Sequence, residues 1–419
     1  MVLILKIYMG FVIIVMLLYM VRHALFSINR LFKHQRMYYH DIYDDDMPSV
    51  SVLIPMYNEE QVLCDVMEAL LQCEYDRDKL EIIPINDCSV DATPLLLDEY
   101  SRKYPFIRPL HRSSGERGKP AGLNEAMKIA QGEIIIVFDA DYKPAKGLIK
   151  HLASAFLDPE AGAVMGRVVP YNADKNILTK LIYLERAGGY QADQQARYNL
   201  RLIPQYGGTV GGYRKDLMLS FGGFNTRVLA EDTELTYRLY CNGYKVLYAN
   251  AAECYEQSPE TWSVRSRQIR RWSRGHNSVM FRYFIPVILS KHMTFMEKFD
   301  GLMLLGIYAT PFILALGIIV SMALFLLGKM TILAGWWFAF FLAAYTNYGN
   351  FAPFYEIGSA LQVDGIRKNI RVMPMMGMMF YFYLWNISLG FLDAVLDRMT
   401  QRKVSWDKTL RFNNSEEKR

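Results

Sequence analysis

Glu133-Ile134-Ile135-Ile136-Val137-Phe138-Asp139-Ala140-Asp141 is the stretch on which the fold turns. Residues 134–138 are apolar without interruption and mostly β-branched, the mark of a strand covered on both faces. Two carboxylates close it. Working outward, residues 50–55 and 80–85 have the same character and are bounded by polar turns. Residues 59–72, 92–103 and 120–131 carry helical spacing. Strands alternating with helices predict a doubly wound parallel sheet, whose ligands bind beyond the carboxyl ends of the strands. Polar residues stand at those ends: Tyr57, Asn58 and Glu59 after the first, Asp87 and Asp91 after the second, Asp139 and Asp141 after the third. No G-x-G-x-x-G follows the first strand and no G-x-x-x-x-G-K-S/T occurs, which argues against a dinucleotide enzyme or a P-loop NTPase.

The two carboxylates of Asp139-Ala140-Asp141 share one side of the chain. A hard divalent cation takes such oxygens together with substrate phosphate oxygens, although a solvated turn reads the same way. Asp87 suits a base or ribose as well as it suits a helix cap, whereas Asp91, just before a helix, reads better as a cap. Gly118-Lys119-Pro120, with Arg112 and Arg117 nearby, offers cations to a pyrophosphate or forms a solvated loop. Glu231-Asp232 opens an amphipathic segment, as a general base for an acceptor hydroxyl or as dipole-compatible capping. Gln268, Arg271 and Trp272 fall on one helix face, placing a cation and an indole together. Arg265, Arg267, Arg270 and Arg274 crowd that segment, which reads equally as a basic helix on anionic headgroups.

The chain has 419 residues, 52% hydrophobic and 21% charged, which excludes a disordered protein. Its 47 basic and 42 acidic residues leave a balance too mild for nucleic-acid binding. Five cysteines show neither a CxxC pair nor zinc spacing, and are expected as free thiols. The greasy residues gather at both ends. Residues 7–21 form an uncharged run, extended by Lys6 to roughly one bilayer span. Arg22, Arg30, Lys33 and Arg36 follow it, which places the middle of the chain in the cytoplasm. Residues 301–328, 330–355 and 372–392 are three more uncharged blocks. Three crossings would put the basic tail outside, so one block is expected to be re-entrant, interfacial or a hairpin, with Pro311, Pro353 and Pro374 as breakpoints. The expected organisation is a membrane helix and basic linker (1–47), a catalytic domain (48–284), membrane or interface helices (285–396) and a cytosolic basic tail (397–419).

Taken together and in order, Asp87, Asp139-Ala140-Asp141, Glu231-Asp232 and Gln268-Ile269-Arg270-Arg271-Trp272 resemble the D, D-x-D, T-E-D and Q-x-x-R-W motifs of the processive inverting glycosyltransferases of family 2, the group of cellulose, chitin, hyaluronan and poly-N-acetylglucosamine synthases. The resemblance spans roughly residues 50–284 and implies a GT-A type nucleotide-sugar-binding domain inserted between transmembrane helices. It implies that Asp87 and Asp139 hold uridine and ribose, with Tyr57, Glu59 and Lys119 on the donor. Asp141 would ligate Mg²⁺ or Mn²⁺, and Asp232, with Glu231 beside it, would be the base. Arg271 would face the diphosphate, and Gln268 and Trp272 would meet the acceptor. Trp406 and Thr409 look similar to a gating segment. Two positions depart from the pattern: Asn86 replaces an acid and Ala230 replaces the Thr of T-E-D.

The resemblance thus implies an enzyme of a bacterial plasma membrane that takes a UDP-sugar, UDP-glucose or UDP-N-acetylglucosamine, and extends a growing glycan acceptor, an exopolysaccharide passed across the bilayer. It leaves room for an accessory secretion subunit. Its rivals are a lipid glycosyltransferase of the ceramide-glucosyltransferase type, which adds one sugar, and a catalytically silent export scaffold.

Overall fold

The computed structural model describes residues 2–33, 46–329 and 352–400. The gating positions Trp406 and Thr409, the basic tail and most of the block 330–355 lie outside the described residues. Strands β1 (Val50–Met56), β2 (Leu80–Asp87), β3 (Leu110–Arg112), β4 (Ile134–Val137), β5 (Lys143–Pro144), β6 (Ala161–Pro170), β7 (Gly211–Arg214) and β8 (Lys245–Glu256) form one sheet in the order β3-β2-β1-β4-β7-β6-β8-β5. β1 runs parallel to β2 and β4, and β2 to β3, so the first half is the predicted parallel sheet.

The second half corrects that expectation. β7 is antiparallel to both β4 and β6, which makes the sheet mixed. Its insertion depends on glycine, because a Cβ at Gly211 or Gly212 would lie 2.4 or 2.5 Å from the backbone oxygens of Val164 and Ile135.

Helices α1 (Val2–Phe32), α2 (Leu63–Leu71), α3 (Thr93–Lys103), α4 (Lys119–Ile129), α5 (Leu148–Ser154), α6 (Ile177–Arg186), α7 (Gln195–Asn199), α8 (Lys215–Ser220) and α9 (Glu231–Cys241) surround the strands. Successive side chains of a strand point to opposite faces, so β1 feeds two cores. Val52 and Ile54 pack with Met67, Leu70 and Leu97, while Leu53 packs with Ile83, Leu123 and Leu235. Ile54 is fully buried, so truncating it to Ala would cost about 2–5 kcal/mol.

The remaining helices are α10 (Trp262–Leu289), α11 (Phe295–Gly306), α12 (Thr310–Leu326), α13 (Ala352–Val363) and α14 (Met376–Thr400). Among the described residues two helical segments are long and apolar enough to cross a bilayer, Val2–Phe32 and Asn369–Thr400. The pair α11 and α12, bent by 65°, would make a third if taken as one span. The three prolines named as breakpoints lie as follows. Pro311 lies in the first turn of α12, Pro353 is the second residue of α13, and Pro374 falls in the 3-10 stretch Arg367–Met375 before α14.

Charge ties α1 to the rest. Arg22 bridges Asp193 at 3.0 Å and Asp300 at 2.9 Å, with all three side chains largely buried. His23 Nδ1 meets Glu356 at 2.8 Å, and the Tyr19 hydroxyl donates to the carbonyl of Met303.

Three of the four extra arginines of α10 are ion-paired within the protein, whereas Arg267 is exposed. Arg265 is fully buried and paired with Glu185 at 2.6 Å. Arg270 pairs with Asp393 at 2.6 Å and Arg274 with Asp397 at 2.5 Å, so two successive turns of α10 are laced to α14. The acids that neutralise them lie 80 and 123 residues away in sequence, where no local pattern shows them. All five cysteines are free.

Candidate active site

The loops after β1 and β2 are stitched to each other. Asn58 N–H donates to Ser89 Oγ at 2.9 Å, and Val90 N–H returns to Asn58 Oδ1 at 2.9 Å. Glu59 N–H donates to Thr93 Oγ1 at 3.0 Å and Ala92 N–H to Glu60 Oε2 at 2.9 Å. Asn58 and Cys88 adopt φ of 52° and 60°, a left-handed conformation held by this mesh. Asp91 accepts from Thr93 N–H at 3.0 Å, as expected of a helix-start residue. Asn86, the departure from the acid pair, accepts from Ser89 N–H and bonds His111, so it shapes the turn.

Those loops open onto a cavity of about 1170 Å³. Tyr57, Glu59, Asp87, Lys119, Asp139 and Asp141 line it. Glu231, Asp232, Gln268, Arg271 and Trp272 line it as well, so the cavity collects every candidate that falls within the described residues. Asp87 is fixed by an ion pair with Arg112 and by Gly118 N–H at 2.8 Å. Arg112 is in turn held by Glu125 at 2.8 and 2.9 Å. Asp139 takes the Lys119 ammonium at 2.5 Å, and its backbone N–H donates to Thr209 Oγ1 at 3.0 Å.

Asp232 Oδ1 accepts from Thr233 N–H at 2.6 Å. Gly208, at φ 74°, passes so close that a Cβ there would sit 3.1 Å from the Asp232 Cβ. The glycine-rich segment 207–212 serves two ends: Gly207, Gly208 and Thr209 line the cavity, and Gly211 and Gly212 enter β7.

The electrostatics follow from crowding. Burial and the Asp232 charge push Glu231 up to about 7, with Lys119 pulling the other way. Lys119 holds its proton more tightly than usual: burial alone would loosen it, but Asp139, Glu231 and Asp232 outweigh that. Asp139, Glu231 and Asp232 act on this one ammonium, and Asp141 lines the same cavity, so four carboxyl groups with hard oxygen donors share it. Such donors would suit Mg²⁺ or Mn²⁺, with Asp141 the candidate ligand.

Sequence reasoning missed the support behind Trp272. The chain from Ile177 to Asn199 is helical throughout, but Ala187–Gln194 is wound as a π-helix. Such stretches shift helical register and gather at functional sites. Here it brings Arg186, Tyr190, Asp193 and Gln194 to the cavity. Arg186 forks onto Glu256 at 2.6 and 3.1 Å, and Tyr142 donates to the same carboxylate at 2.8 Å. The Arg186 and Arg265 guanidiniums lie 5.3 and 5.2 Å from the Trp272 ring centroid. Arg265 also donates to Gln268 Oε1 at 2.7 Å. Past Trp272 the cavity continues between the outer helices, where Met16, Leu314, Ile357, Phe380, Leu384 and Ile387 line it. One cavity thus joins the carboxylate cluster to these apolar side chains, with His23 and Glu356 also in its wall.

Residues 51–218 match the model of glycosyl transferase family 2. The chain is 31% identical over 385 residues to the "Probable glycosyltransferase YdaM" of Bacillus subtilis, covering 88% of each protein. It is 31% identical over 283 residues to a beta-monoglucosyldiacylglycerol synthase of Nostoc sp., covering 67% of this chain and 60% of that one. Among solved structures, a Pyrobaculum calidifontis mannosyltransferase in complex with GDP-Man and Mn²⁺ superposes with a TM-score of 0.56 at 22% identity, over 86% of this chain and 98% of that one. The fold is accordingly of the GT-A type.

Proposed function

The chain belongs to glycosyltransferase family 2, and from that premise we propose that it moves one hexose from a UDP-sugar onto the hydroxyl of a membrane lipid, with inversion. The observation that carries the reading is the single cavity running from the carboxylate cluster to the apolar wall of Met16, Leu314 and Phe380. An acceptor with a polar head and an acyl tail fits both ends at once. The beta-monoglucosyldiacylglycerol synthases among the relatives support the same choice.

In this mechanism Asp87, fixed by Arg112 and Gly118, and Asp139, fixed by Lys119 and Thr209, orient the nucleoside. Arg271 faces the diphosphate and favours its departure. When Mg²⁺ or Mn²⁺ is bound at Asp141 it supplies charge neutralisation for the leaving diphosphate. Asp232 takes the proton of the acceptor hydroxyl as that oxygen attacks the anomeric carbon, the bond to the diphosphate breaking on the opposite side. A cytoplasmic donor end follows from the positive-inside pattern after α1.

Asp232→Asn should bind UDP as tightly as the parent and lose transfer by at least a hundredfold. Transfer that survives the substitution would remove the base assignment.

A second reading has its own support. Gln268, Arg271 and Trp272 together at the mouth of a passage between helices suit repeated addition to a glycan. The length of the product separates the two.

A further inference from the structure

Gln268, Trp272 and His276 stand at i, i+4 and i+8 of α10, so one stripe of the helix carries all three into the cavity. The mechanism above does not use the third. The His276 ring lies against the neighbour of the base: its Nδ1 and Nε2 are 3.1 and 3.3 Å from Thr233 Oγ1. That hydroxyl accepts from Gln205 Nε2 at 2.9 Å. Its own proton has two places to go, and the Asp232 oxygen, at 3.4 Å, is the farther. That hydroxyl thus stands between the ring and the base, and a neutral imidazole presents one N–H donor from its edge. Burial favours the neutral ring by lowering its pKa, with Asp232 pulling the other way.

On its far side the ring stacks on Tyr308, centroids 4.4 Å apart at 27°. Tyr308 sits in the break between α11 and α12, and beyond it Ile307, Pro311 and Leu314 line the cavity. His276 thus marks the place where the polar half of the cavity meets the apolar half, beside the atom that receives the acceptor's proton.

The geometry points to His276 as an acceptor-binding residue that hydrogen-bonds an oxygen adjacent to the reacting hydroxyl, an ester, ether or second hydroxyl at the junction of head and tail. It deepens the lipid-acceptor reading and rests on it. The enzyme then prefers a lipid whose reacting hydroxyl has such a neighbour, as in a diacylglycerol, over a plain long-chain alcohol of equal length.

The test uses the full chain in nanodiscs, with a diacylglycerol or a fatty alcohol as acceptor and UDP binding measured separately. His276→Phe keeps a ring for Tyr308 but has no nitrogen; His276→Asn keeps a hydrogen-bonding group but no ring. His276→Phe should lower kcat/KM for the diacylglycerol about tenfold, the loss expected for one hydrogen bond, and abolish its preference over the alcohol. His276→Asn should stay within about threefold of the parent, and the Kd for UDP should change less than about twofold in either variant. A Phe variant that outperforms the Asn variant, or equal losses on both acceptors, would overturn the proposal and leave His276 a packing residue. Should the product be a β-linked polymer, the lipid reading fails by itself. The Phe-to-Asn difference measured on an oligosaccharide acceptor then still decides the role of His276.

Discussion

The Lys119 ammonium sits 2.5 Å from Asp139 Oδ1, and the charges of Glu231 and Asp232 act on it as well. One cation thus holds together acids from two ends of the domain, the strand end of β4 and the start of α9. Lys119→Met removes it and leaves Asp139 largely buried without its partner. We expect the KM for the donor to rise about tenfold or more and the demand for divalent cation to rise with it. Initial rates across a metal titration read both.

Glu231 holds its proton up to about 7, whereas an unperturbed glutamate releases it near 4.5. Between those values the folded chain binds a proton that the unfolded chain has lost, so this residue makes stability fall as pH rises through that window. Glu231→Gln removes the effect. The variant should be more stable than the parent at pH 8 by an amount on the order of 2–3 kcal/mol, and no more stable at pH 4. Denaturation of the detergent-solubilised pair at the two pH values measures the difference.

Arg22→Met should destabilise the protein by roughly 3–5 kcal/mol, because Asp193 and Asp300 lose a shared buried partner. Asp193 keeps Arg197 at 2.6 Å, so the double variant Arg22→Met with Asp300→Leu should recover part of the loss. Thermal unfolding in one detergent compares the set.

Arg186→Gln should act on the acceptor and not on the donor. It takes one guanidinium from Trp272 and takes the Arg186 fork from Glu256, which keeps the Tyr142 hydroxyl. We expect the acceptor KM to rise severalfold while UDP affinity stays within about twofold of the parent. Steady-state kinetics with each substrate varied in turn checks the split.

The strand-end part of the site was legible because its residues follow strands. The β-branched run 134–137 announces β4, and a strand end of a parallel sheet fixes where Asp139 and Asp141 must lie. β7 was hidden because Gly211-Gly212-Tyr213-Arg214 has no strand pattern; its pairing rests on the room glycine leaves beside Val164 and Ile135. Arg186 and Tyr190 were hidden because a π-helix spoils the 3.6-residue period that periodicity searches use. Arg22 reads as a cytoplasmic flank of a membrane helix, and its partners lie 171 and 278 positions away. His276 could have been found: it is one turn beyond Trp272 on the same face.

The most direct test of the account is the mass of the product. Purified protein in diacylglycerol-containing nanodiscs would receive UDP-glucose or UDP-N-acetylglucosamine with Mg²⁺ or Mn²⁺, and the lipid extract and the aqueous phase would both go to mass spectrometry. The account predicts a lipid heavier by one sugar, made from one of the two donors, with nothing longer in water. A ladder of β-linked sugars with no glycosylated lipid would contradict it.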